Sequence, residues 1–174
     1  MIVVKSFSCN GYADFFKTVS PELDKLCKEF FGGENYSFET AIIEAVCNAA
    51  RYSIYGVDEA KINFRLYISD LDIKVVIMSK THEFDAKKFR QDLIQLVEKY
   101  PEIGNLQWGM YTSDNEDGGR GLWLMLQACQ YLILNHKGQE ITLIATLPDK
   151  THPAARTLKK LIPRLLIEEN GVIS

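Results

Sequence analysis

Residues 38–55, FETAIIEAVCNAARYSIY, limit what this chain can fold into more than any other stretch, because an apolar helical pattern there carries a polar pair that packing does not require. Phe38, Ala41, Ile42, Ala45, Val46 and Ala49 recur at helical spacing and make one apolar stripe. Glu44 and Asn48 stand four residues apart beside it, so on a helix they project together from one face. Burying such groups without partners costs roughly 2–7 kcal/mol for the amide and more for an ionised carboxylate. Something must therefore satisfy them. Mg²⁺ with its oxygen-rich ligands is one candidate, and an internally bonded or solvated polar strip is the other.

The rest of the chain predicts elements that such a helix can pack on. Ile2–Ser8 reads as an edge strand, Asn10-Gly11 as a turn, and Tyr12–Phe31 as a helix kinked or restarted at Ser20-Pro21 and ended by Gly32-Gly33. Lys61–Ser69 alternates as a strand and turns through Asp70-Leu71-Asp72 into Ile73–Ser79, a hairpin. Asp85–Lys99 returns to helical spacing with Asp85 placed to cap it. The long connection Pro101–Gly119 carries Trp108, Met110 and Tyr111, with a charged run Asp114–Asp117, and loops of that length are usually functional or mobile. Gly118-Gly119-Arg120-Gly121 then feeds a helical run, Leu122–Leu132; exposed N–H groups, a helix dipole and an arginine fork there favour a phosphate. Tyr131–Asn135 and Glu140–Leu147 make a second strand pair, and Thr151–Leu166 reads as a basic amphipathic helix interrupted near Pro163.

With 47% hydrophobic and 25% charged residues, 174 residues suffice for one core, so the expected organisation is a single domain, 1–174, with 149–174 as a C-terminal helical extension. A net charge of −3 without a long basic run argues against extended nucleic-acid binding. Cys9, Cys27, Cys47 and Cys129 form no C-x-x-C pair and read as buried thiols in a reducing compartment. The N-terminus resembles a first strand more than a signal peptide, and no segment approaches a membrane span, so a cytoplasmic location is expected.

In this order the motifs acquire a resemblance. Glu44-Ala45-Val46-Cys47-Asn48-Ala49-Ala50-Arg51 resembles the N box, and Gly118-Gly119-Arg120-Gly121-Leu122 with Trp123-Leu124-Met125 resembles the second glycine box, of the histidine-kinase-like (GHKL) ATPase superfamily. Within it the anti-sigma-factor serine kinases are the nearest match, and the similarity covers roughly residues 37–147. It implies an α+β fold, a two-layer α/β sandwich with helices on one face of a mixed, mostly antiparallel sheet, and ATP with Mg²⁺ held beneath the long loop. By position, Glu44 would be the catalytic base and Asn48 the Mg²⁺ ligand. Nucleotide contacts would come from Asn48, Arg51, Ser79, Gly118, Gly119, Arg120 and Gly121, and Thr142 would lie near the base.

One motif departs from that pattern. Where the superfamily's first glycine box reads D-x-G-x-G before Phe-Asp, this chain has Ser79-Lys80-Thr81-His82-Glu83 before Phe84-Asp85, without the adenine-reading acid and without either glycine. A charged hydrogen bond of that kind is worth about 1.5–3 kcal/mol. Ser79 replaces it only in part, and Thr81 and Glu83 add side chains where bare backbone is expected. Two functions follow. One is an ATP-dependent serine/threonine protein kinase regulating a sigma-factor pathway, its partner a sigma factor or an anti-anti-sigma factor, with a homodimer admitted. The other is a nucleotide-free interaction module of the same fold.

Overall fold

The computed structural model describes residues 3–105, 120–147 and 157–174. Strand β1 (Val3–Asn10) leads into a helical segment made of α1 (Gly11–Asp14), a wide π turn (Phe15–Val19) and α2 (Ser20–Phe31). The π turn has a local cause. Pro21 has no N–H to give to the preceding turn and its ring crowds that turn's carbonyl, so the backbone widens just ahead of it rather than breaking. Gly32 ends α2 at φ 68°, the left-handed conformation that glycine adopts without a Cβ clash.

Helix α3 (Tyr36–Arg51) is the expected polar-pair helix, begun earlier than its apolar stripe suggests because Asn35 caps it, its Oδ1 accepting from the Phe38 N–H at 3.2 Å. After it come β2 (Lys61–Ile68), β3 (Asp72–Ser79) and α4 (Ala86–Lys99), the last capped by Asp85 through the Lys88 N–H at 2.8 Å. A short α5 (Pro101–Gly104) precedes α6 (Arg120–Ala128), β4 (Tyr131–Asn135) and β5 (Glu140–Thr146).

The C-terminal segment departs from expectation. Among its described residues, only α7 (Leu158–Leu161) and a 3₁₀ turn (Ile162–Arg164) are helical, and the chain then forms β6 (Leu165–Glu169) and β7 (Val172–Ile173). Of the expected 149–174 helical extension, residues 149–156 lie outside the described residues, and the rest is corrected to a helix turn followed by a hairpin. Pro163 stops the helix, and Asn170 and Gly171, at φ 52° and 78°, make the two-residue turn whose twist suits a hairpin. Arg164 holds this corner, donating to the Cys129 carbonyl at 3.0 Å at the end of α6.

Among the described residues, all strands join one seven-stranded sheet in the order β1-β2-β3-β5-β4-β6-β7, antiparallel except where β4 and β6 run parallel. One face carries the core: Ile62, Phe64 and Leu66 of β2, Ile73, Val75 and Ile77 of β3, Leu132 and Leu134 of β4, Leu143 and Ala145 of β5 and Leu165 and Ile167 of β6. Phe15, Phe38, Leu126 and Leu161 meet them from the helices in the same apolar cluster. The protein is therefore an α+β two-layer sandwich with its helices on one face of a mixed, mostly antiparallel sheet. Among the described residues no helix is long and apolar enough to cross a membrane.

Candidate functional site

Helix α3 lies along both α6 and the sheet, and this arrangement makes the site. Its apolar stripe is nearly all buried, with Phe38, Ala41, Ala45 and Val46 at 1% exposure or less, which fixes the rotation of the helix. Glu44 and Asn48 are then turned sideways, half-buried, into a cavity of about 840 Å³ that Arg51, Ser79 and Gly121 also line. That volume is in the range of pockets that enclose a small molecule or cofactor.

Gly121 is where the two motifs meet. A Cβ built on it would lie 2.7 Å from Glu44 Oε2, so the first turn of α6 comes directly against the carboxylate, and a side chain here would turn the end of Glu44 aside. The structure thus brings Glu44, Asn48, Arg51, Ser79 and Gly121 to one cavity. Gly118 and Gly119 lie outside the described residues, as do Trp108, Met110, Tyr111 and Asp114–Asp117, and Arg120 is described only as the first residue of α6.

Thr142 is not brought in. It is paired with Val76 of β3 and Ile133 of β4, and all three belong to the sheet face opposite the core, whereas Ile141, its neighbour in β5, lines the cavity. The expected place of Thr142 beside the base is corrected by strand alternation: a shift of one residue moves a side chain through the sheet.

The degenerate segment after β3 has its own structure. Ser79 N–H donates to the Gln139 carbonyl at 3.0 Å, and Ser79 Oγ donates at 3.4 Å to the Ala49 carbonyl of α3. Thr81 forms a bridge with Ser53, His82 N–H donates to the Tyr52 carbonyl at 2.9 Å, and Phe84 N–H donates to that of Lys137 at 3.3 Å. Gln139 Nε2 returns a bond to the Thr81 carbonyl at 3.2 Å, and Lys137 pairs with Glu83 at 3.0 Å. This wall is tied both to the end of α3 and to the β4–β5 turn. Gly138 completes it: at φ 68° its Cβ would fall within the Phe84 ring.

Sequence reasoning did not find the apolar half of the site. Phe89, Leu93 and Leu96 of α4, Trp123 and Leu126 of α6, and Leu158 of α7 line the same cavity. The helical spacing of Phe89, Leu93 and Leu96 was visible, but spacing does not say whether a stripe meets protein or empty space. Tyr12 is a second omission. It is hydrogen-bonded to Cys47 and lies near Glu44; that bond first, then burial and the nearby Cys47 and Glu44 charges, push its phenol up to about 12.

Cys47 differs from the other thiols. Cys9, Cys27 and Cys129 are buried, and burial is the main cause that raises them to about 11, 12 and 12, so they hold little thiolate near neutral pH. Cys47 is only partly buried and lines the cavity. Brief alkylation with iodoacetamide at pH 8, followed by peptide mass mapping, is expected to label Cys47 before the other three, and a cavity ligand should slow that labelling. Equal labelling of Cys27 and Cys129 in the folded chain would contradict this placement. No protein-family model matches the chain, and no curated protein matches it.

Proposed function

We propose that this chain is an ATP-binding regulatory protein of the histidine-kinase-like kind, a cytoplasmic serine/threonine protein kinase acting on a regulatory partner such as an anti-anti-sigma factor. The observation that carries the proposal is the convergence of Glu44, Asn48 and Gly121 on one cavity of about 840 Å³, from two helices separated in sequence by the whole β2–β3 hairpin and α4. The donor set suits the chemistry. Asn48 offers an amide oxygen of the hard kind that Mg²⁺ prefers, and a bound Mg²⁺ would neutralise charge on phosphate oxygens. Arg51 adds a cation at the rim and the first turn of α6 adds N–H groups. Glu44, which lines the same cavity, would take the proton of an attacking hydroxyl, the base that phosphoryl transfer to a protein needs.

The second reading, a nucleotide-free interaction module, is favoured by one observation: the wall from Ser79 to Phe84 is already bonded to α3 and to the β4–β5 turn and presents no carboxylate at Ser79. Incubation of the purified chain with γ-labelled ATP, Mg²⁺ and an anti-anti-sigma-type protein separates the two. The kinase reading expects transfer to the partner, reduced at least ~100-fold in Glu44→Gln with ATP binding retained. Absence of nucleotide binding at millimolar ATP, together with partner capture indifferent to ATP, would reject it for the module.

A further inference from the structure

Helix α3 runs out into a turn whose apolar residues face solvent. Tyr52, Ile54, Tyr55 and Val57, four of six consecutive positions, are each 43–53% exposed. The backbone that carries them is held at both ends. Ser53 N–H donates to the Ala50 carbonyl at 3.2 Å and Ser53 Oγ accepts from the Tyr55 N–H at 3.1 Å, while the Ala60 carbonyl accepts from the Gly11 N–H at 2.8 Å. The bridge between Ser53 and Thr81 is closed by Ile54 N–H, which donates to the Lys80 carbonyl at 3.0 Å, and by the bond from His82 to Tyr52. Ser53 and Thr81 are buried, so alternation turns Tyr52 and Ile54 outward together with His82 and Lys80 opposite them. Single exposed apolar residues are ordinary on a protein surface. Four on one fixed turn, with on the order of 300 Å² of open side chain, make a contact patch.

The patch joins the cavity at one end, since Arg51, Tyr52 and His82 line the cavity and are exposed at its rim. Arg51 and Lys80 have no ion-pair partner among the described residues, and Glu83, which follows Lys80 on the wall, is taken by Lys137. Asp58 and Glu59 come only after Val57, at the far end, where Lys61 stands 5.8 Å from the centroid of the Tyr55 ring. The rim end is thus cationic, the middle apolar and the far end mixed. Such a surface is complementary to a chain segment that places acidic side chains at the rim and an aliphatic or aromatic one beyond them.

We propose that the turn at 52–57, with Lys80, docks the protein partner through a segment of that kind. The proposal rests on the kinase reading for one feature, the distance to the acceptor hydroxyl. Arg51 follows Glu44 by seven residues, about 10 Å along the helix, and an extended peptide covers that distance in about three residues. The acidic residues therefore belong about three or four positions from the phosphorylated serine or threonine, with the apolar anchor next. A patch far smaller than the ~800 Å² that each side of a stable interface buries gives transient contact, as suits a partner that must leave.

Fluorescence anisotropy of the full chain, read without nucleotide, tests this. The probe is a labelled dodecapeptide with one serine, two aspartates about three and four positions after it and a Leu-Phe pair next; the control peptide has lysines in place of the aspartates. The probe is expected to bind at about 100 µM and the control at least ~10-fold more weakly. Ile54→Asp and Lys80→Glu, both at exposed positions, should each weaken the probe at least ~10-fold, with Val57→Asp in place of either that fails to fold. Leu71→Asp, on the exposed turn at the other end of β2 and β3, should change nothing. Equal binding of the two peptides, indifference to both Ile54→Asp and Lys80→Glu, or no binding up to about 1 mM would each overturn the proposal. Failure of the kinase reading shows separately: a chain that takes up no ATP but binds the probe as expected would reject that reading and keep the docking surface.

Discussion

Replacing Gly11 by alanine is expected to lower the thermal midpoint by about 5–15 °C. The strand β1 turns into α1 at this residue, at φ 73°, while its N–H donates to the Ala60 carbonyl at 2.8 Å. An L-residue in that conformation costs about 1–2 kcal/mol. The added Cβ would also lie 2.5 Å from the Asp58 carbonyl oxygen and 3.0 Å from that of Val57, and backbone atoms cannot rotate aside as a side chain can. Together these make about 2–4 kcal/mol, at the high end of single substitutions. Gly32 supplies the control: it has a similar φ of 68° but no atom within 4 Å of its Cβ position, so Gly32→Ala should cost only the conformational part, about 2–8 °C. Calorimetry showing the two variants alike would mean that the segment around Asp58 yields to the new methyl group. Because Tyr12 follows Gly11 and bonds Cys47, the Gly11 variant should also alter Cys47 alkylation.

That junction illustrates what the sequence can and cannot disclose. Asn10-Gly11 announces a turn by composition, but the carbonyls that make glycine obligatory there come from residues almost fifty positions away, and no local pattern carries them. The same division holds through the fold. Helix α3 and the β2–β3 hairpin were legible because one face of each is buried and the period of the apolar residues reports it. The strands β6 and β7 were missed because Leu165, Leu166 and Ile167 continue an apolar spacing that suits a helix, and Pro163 was read as a kink within that helix rather than as its end. Within the site, Glu44 and Asn48 were visible as polar residues without an obvious packing role. Thr142 was misplaced because a motif gives position along a strand and not the face, which depends on pairing with Val76 and Ile133. The apolar wall from α4 was legible only as a helical stripe, since spacing does not say whether Phe89, Leu93 and Leu96 meet protein or line a cavity.

Asn48→Ala is expected to reduce Mg²⁺-ATP affinity more than ~100-fold, and Ser79→Asp to increase it about 10- to 100-fold, both by isothermal titration. The first removes the amide oxygen that α3 presents to the cavity, leaving the metal-bound phosphates without that ligand. The second puts a carboxylate at the end of β3, where Ser79 offers only a hydroxyl committed at 3.4 Å to the Ala49 carbonyl. Ser79 is 7% exposed, so an aspartate there would face that carbonyl without a donor until a ligand amine arrives. The ligand-free variant should consequently melt earlier than wild type, and saturating ATP should raise its midpoint by more than it raises that of wild type. The pair of variants separates the halves of the site. A loss in Asn48→Ala with no gain in Ser79→Asp would place the phosphates as proposed and the base away from β3, toward Phe89 and Leu93. Indifference of both would leave the cavity to a ligand of another class, because neither its oxygen donor nor its best position for reading an exocyclic amine would be in use.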